Sequence, residues 1–218
     1  MVGMAMNLPF GRRGASVAGG IGLLLLAGVA AAPAQTGDSG SVDASALDSS
    51  AGGRVASKPI ASISGDWNQD GALDGALLFT SFEGASLFVY FGGQDGSKRT
   101  SILARDLVWH GQGVAGQEAG LERAPDHRFV VTAQNTAIGR DRWSERLTLA
   151  YDKGVMRVVR YELTAYDTLD LEQRRECDLD LLSGSGVLNG EKVPVAAEAP
   201  IVEDWLKQGA ALEACDIV

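Results

Sequence analysis

From about residue 75 onward, apolar and polar residues alternate at the two-residue period of a half-buried strand. "GALLFTS" (75–81) and "SLFVYFG" (86–92) are two rich runs separated by little more than "FEG", which predicts a hairpin. "SILARDLVWH" (101–110) and "HRFVVTAQN" (127–135) give a third and a fourth strand. "WSERLTLAYD" (143–152) and "GVMRVVRYELTAYDT" (154–168) form the clearest hairpin, joined across "DKG". In its second strand, plain alternation places Val155, Arg157, Val159, Tyr161 and Leu163 on one face. Met156, Val158, Arg160 and Glu162 fall on the other. "CDLDLLSG" (177–184) alternates again, with Leu179 and Leu181 on the face of Cys177, and "KVPVA" (192–196) reads as a short edge strand. Only "IVEDWLKQGAALEA" (201–214) has helical spacing, with Ile201, Trp205 and Leu206 on one side. No repeat of 20–50 residues is present. The pattern predicts a mainly β domain over 58–218, a sandwich or meander closed by a short C-terminal helix.

The first quarter of the chain follows different rules. Arg12 and Arg13 precede an apolar run from about Ala15 to Ala32, and "Ala32-Pro33-Ala34" offers small residues at the positions a signal peptidase reads. Residues 1–34 are therefore expected to be an export signal, with an uncleaved anchor as the alternative. Its glycine-rich first half argues against the anchor, since a spanning helix needs about 20 strongly apolar residues. Residues 35–57 are Gly, Ser, Ala and Asp with no aromatic side chain. Such a segment buries too little surface to offset its ordering entropy and reads as a flexible leader. The expected location is periplasmic or secreted, with no stable membrane insertion after the signal is cleaved.

Charge and cysteine content sharpen this. The chain carries 28 acidic against 19 basic residues, a formal net charge of −9 at pH 7. That balance repels nucleic acid and anionic lipid and is compatible with divalent cations. Cys177 and Cys215 are the only two cysteines. In an exported chain they are expected to pair, which would pin the C-terminal tail to the domain.

One stretch carries candidate chemistry. "GDWNQDGALDGALLF" (65–79) sets Asp66, Asn68, Asp70 and Asp74 at positions 1, 3, 5 and 9 of a nine-residue loop. With the backbone carbonyl of Ala72 at position 7, this offers the mixed oxygen set that calcium takes. Gly71 supplies the sharp turn at position 6 at no steric cost. The helix–loop–helix calcium site also needs a glutamate at position 12, where this chain has Leu77, and both flanks read as strand. The alternative is a polar turn whose oxygens cap backbone amides.

This stretch resembles the FG-GAP or VCBS type of repeat, in which an acidic nine-residue loop leads into a strand. The resemblance covers residues 63–92 and implies calcium at Asp66, Asn68, Asp70, Ala72 and Asp74. A propeller needs several such blades, and one copy cannot build one. "AIGRDRWSERLTLAYDKGVMRVVRYELTAYDTLD" and "CDLDLLSGSG" are similar to the C-terminal part of exported bacterial proteins that place one such loop before a β domain. Asp180 and Ser183 stand where that pattern has asparagine and threonine. The similarity implies a location and a fold.

Other constellations are weaker. "GQGVAG" (111–116) fits G-x-G-x-x-G but shows no βαβ unit around it and reads as a glycine loop. His110 and His127 are 17 residues apart and lack zinc spacing. Asp178 and Asp180 share a strand face, and Asp167 and Asp170 form a second acidic pair. "GRDRW" (139–143) gathers Arg140, Arg142 and Trp143, which suits cation–aromatic stacking or an anionic group. The reading these features support is a calcium-stabilised structural or binding module of the cell envelope, with an envelope protein or glycan as partner. A periplasmic hydrolase acting on envelope glycans through acidic residues is the alternative.

Overall fold

A computed structural model describes residues 58–111, 113–207 and 213–215. The predicted signal (1–34) and leader (35–57) lie outside the described residues. Among the described residues, eleven strands follow one another as antiparallel neighbours within two sheets. The first sheet runs β1 (Pro59–Gly65), β2 (Asp74–Thr80), β3 (Ala85–Gly92) and β4 (Lys98–Val108), in that order. The second holds β5 (Ala119–Ala124), β6 (Arg128–Asn135), β7 (Asp141–Asp152), β8 (Val155–Asp167), β9 (Arg174–Asp180), β10 (Ser185–Leu188) and β11 (Glu191–Pro194), again in chain order. The domain is thus mainly β, two meanders that share one apolar core, as the alternation predicts.

Period-2 patterning explains why these segments pair as they do. Ala85, Leu87, Val89 and Phe91 point from β3 into the core, and Phe129, Val131 and Ala133 meet them from β6. Aromatic contacts tie the sheets together: Trp67 lies edge-on to Phe129 at 4.9 Å, and Phe91 meets Tyr151 at 4.9 Å. At the other end Trp109 packs edge-on against Trp143 at 5.5 Å.

The long strand β8 departs from simple alternation. Thr148 faces Arg160 and Leu149 faces Val158, so Val159 is an extra residue in the ladder. This bulge reverses the phase. Met156 and Val158 before it, and Tyr161 and Leu163 after it, all enter the core, whereas alternation had put the two groups on opposite faces. The start of the predicted C-terminal helix is likewise corrected. Val202–Lys207 is a 3₁₀ turn and residues 213–214 are helical, while 208–212 lie outside the described residues. Three residues per turn bring Val202 and Trp205 to the core, where Trp205 packs at a tilt against Tyr161 at 5.2 Å, and leave Leu206 exposed.

Cys177 and Cys215 are bonded, with Cα atoms 5.6 Å apart, and close a 38-residue separation. Both are buried. This cross-link holds the segment after β9 on the core, as the cysteine count predicts. Alkylation without reduction should leave both cysteines unmodified in a mass spectrum. Replacing both by alanine should lower stability in urea by up to about 4 kcal/mol, the chain-entropy limit for a loop of this size.

Candidate metal centre

The acidic loop joins β1 to β2, so its setting is strand–loop–strand, as its flanks predict. Its polar side chains are gathered, and each already has hydrogen-bond partners. Asp66 accepts the Asp70 N–H on Oδ1 and the Gly71 N–H on Oδ2, both at 3.1 Å. Asn68 Oδ1 also accepts from Asp70 N at 3.1 Å, while Asn68 Nδ2 donates to Asp70 Oδ2 at 3.0 Å. Asp70 Oδ1 takes the N–H of Ala72 at 2.8 Å. Gly71 adopts φ 83°, the left-handed turn expected at that position, and Gln69 has φ 60° as well. The polar-turn geometry is therefore realised within the loop. Among the described residues, no group of three or more His, Cys, Asp or Glu side chains is set as a metal cluster.

Asp74 has a different place. It is wholly buried. Its Oδ2 accepts from Trp67 N at 2.8 Å and Asn68 N at 3.3 Å, and its Oδ1 accepts from Gly92 N at 3.0 Å. One carboxylate thus ties the loop to the end of β3. A side chain at position 92 would collide with the Leu73 carbonyl, so glycine is required for this approach. The loop also reaches the second sheet. His127 Nδ1 donates to the Asp66 carbonyl at 2.7 Å, and Gln94 Nε2 donates to the Asp70 carbonyl at 2.9 Å. The two histidines do not meet as ligands. His127 serves the loop, and burial lowers the pKa of His110, whose Nδ1 has no partner.

The other carboxylates are separately engaged. Asp178 holds Arg160 through two bonds, at 2.8 and 2.6 Å. Asp180 caps the turn after β9 by accepting from the Leu182 and Ser183 amides at 3.0 Å, which holds its pKa down. Asp167 is buried and pairs with Arg140, whose guanidinium holds it below the usual carboxylate range. Asp170 accepts from Glu172 N at 3.3 Å and Gln173 Nε2 at 2.7 Å. In "GRDRW", Trp143 takes Trp109 as its ring partner, and Arg142 Nη1 is buried with no partner. "GQGVAG" forms a loop, with Val114 N donating to the Gly111 carbonyl at 3.1 Å.

Sequence reasoning passed over Glu145. It lies on the core side of β7 with Trp143, Leu147 and Leu149, so the alternation of "WSERLTL" did signal an inward acid. Burial pushes its carboxyl up to about 7, and the Tyr161 hydroxyl donates to it at 3.3 Å. No protein-family model, curated protein or solved structure matches the chain at a significant level.

Two measurements check this geometry. Asp74→Ala leaves buried amides unpaired and should cost about 2–4 kcal/mol, with faster hydrogen exchange at Trp67 and Gly92. For Glu145 the folded pKa is raised, from 4.5 to about 7. The folded state then holds the proton more tightly, so this group's contribution is complete below the unfolded pKa and declines as pH rises toward about 7. Glu145→Gln should flatten that part of the stability profile; an unchanged slope would assign it to other groups.

Proposed function

We propose that this chain is an exported structural or binding module of the cell envelope, with an acidic loop that calcium stabilises. The observation that carries the reading is the loop's position as a clasp. Trp67 sits in the core on Phe129, Asp74 grips the end of β3, and the Asp66 carbonyl receives His127 from the second sheet. A cation held there would stiffen the junction of the two sheets. Its hydrogen bonds do not exhaust the loop's oxygens, because a carboxylate has about four lone-pair sites and Asp66 and Asp70 each use two. Three carboxylates within nine residues also repel one another, which a divalent ion would relieve. The likeness of residues 63–92 to the FG-GAP or VCBS loop supports the same ion.

A module suits the remaining carboxylates better than a glycan hydrolase does. Hydrolysis needs two carboxyl groups flanking one bond, one of them free to give a proton. Here Asp178 and Asp167 are spent on arginines and Asp170 and Asp180 on turns, while Glu145 faces the core. An envelope protein or glycan is the partner class the reading implies.

Millimolar calcium should raise the thermal midpoint of the mature protein. A ligand present at 100 times its dissociation constant, binding only the folded state, adds about 2.7 kcal/mol. Asp70→Ala should abolish the shift. An unchanged melting curve for the wild type would reduce the loop to a hydrogen-bonded clasp without a metal.

A further inference from the structure

The outer face of the seven-stranded sheet holds a feature that the loop does not explain. Arg128 on β6, Arg146 on β7 and Arg160 on β8 line a concavity of about 590 Å³. Register spreads them over one face: Thr148 faces Val130 on one side and Arg160 on the other, with Arg128 two positions toward one end of the ladder, opposite Ala150, and Arg146 two positions toward the other, opposite Thr132. Two of the three are fixed by carboxylates. Arg146 donates to both oxygens of Glu122 at 3.2 and 2.8 Å, and Arg160 to both oxygens of Asp178. Glu162 lies between them, 3.7 Å from Arg146 and 3.6 Å from Arg160. Arg128 is different. It is half-buried, and among the described residues no ion pair or side-chain hydrogen bond reaches it.

We propose that this groove binds a ligand through a free carboxylate, with Arg128 as the primary contact. Four observations converge on that chemistry. A guanidinium fork matches a carboxylate through two parallel charge-assisted bonds, and this one is uncommitted. Val130 and Val159, the bulge residue of β8, are buried side chains of the same lining. Apolar surroundings exclude water and strengthen such bonds. The acids that share the lining, Asp126, Glu162 and Asp180, oppose a dianion or polyanion and tolerate a single negative charge. No aromatic side chain lines the groove, so a neutral sugar has no ring to stack on. The carboxylate could belong to a peptide C-terminus or to a uronic acid.

The inference rests on the binding-module reading and is tested apart from it. The mature protein is titrated with N-acetyl-alanyl-alanine and its C-terminal amide, and with glucuronic acid and glucose, following backbone amide shifts by NMR. One or both acids should shift amides of β6 to β8, and the neutral analogues should not. The acid that binds identifies the source. Arg128→Gln should weaken that binding about tenfold or more, with the melting midpoint retained, and Arg128→Lys should restore only part of it. Equal shifts from acid and amide, an unaffected Arg128→Gln, no response to either acid, or tighter binding of inorganic phosphate would each overturn the proposal. A calcium-dependent melting shift that survives such a failure would leave the module reading intact.

Discussion

The carboxylate of Asp74 is the constraint on which the first sheet depends. Folding removes it from water entirely, and a lone ionised carboxylate in that position would be very costly. It is tolerated because three backbone amides converge on it, from Trp67, Asn68 and Gly92. Those amides belong to the loop and to the far end of a neighbouring strand. Meeting the demands of one acid therefore fixes the loop's path, the position of Gly92 and the entry of Trp67 into the core. Trp67 then finds Phe129 of the second sheet. Local polar satisfaction and inter-sheet packing are the same event.

Sequence patterning revealed most of the second sheet and the central hairpin of the first, because those strands bury one face and alternate cleanly. It missed β5 and β10, and read β1 only as the strand-like flank of the acidic loop. β1 and β5 are edge strands, and their half-buried residues carry no sharp alternation. β10 is a short "SGVL" whose Gly186 lies against Leu179 and Val193, too close for a side chain, so its strand character comes from pairing rather than composition. The phase of β8 was illegible for another reason. A bulge is a property of two strands together, and nothing in "VMRVVRYEL" alone marks Val159 as the extra residue.

The candidate loop was legible as a set of oxygens but not as an electrostatic arrangement. Spacing placed Asp66, Asn68, Asp70 and Asp74 together and placed Gly71 in a left-handed turn. It could not separate the buried, amide-bound Asp74 from the more accessible Asp66 and Asp70, since that depends on the end of β3 arriving 18 residues later. Nor could it assign His127, whose contact with the Asp66 carbonyl spans 61 residues. The arginine groove was invisible for the same reason. Its three cations come from three strands, and only the pairing of β6, β7 and β8 brings them to one face and one concavity.

That register also links the two candidate sites through a single turn. Asp126 and His127, between β5 and β6, both adopt positive φ, at 58° and 56°. Left-handed backbone is unfavourable for residues with a Cβ, so two in succession persist only where the surroundings hold them. Here the surroundings are the acidic loop on one side and the groove on the other. His127 Nδ1 donates a hydrogen bond to the Asp66 carbonyl, while Asp126 and then Arg128 line the concavity. A change in the loop that moved the Asp66 carbonyl would act on His127, and His127 is bonded directly to the first residue of β6. The arginine that stands unpaired among the described residues of the groove is that residue. The loop's partner, His127, and the groove's arginine, Arg128, are therefore adjacent along the backbone, although the loop and the groove belong to different sheets and different chemistry.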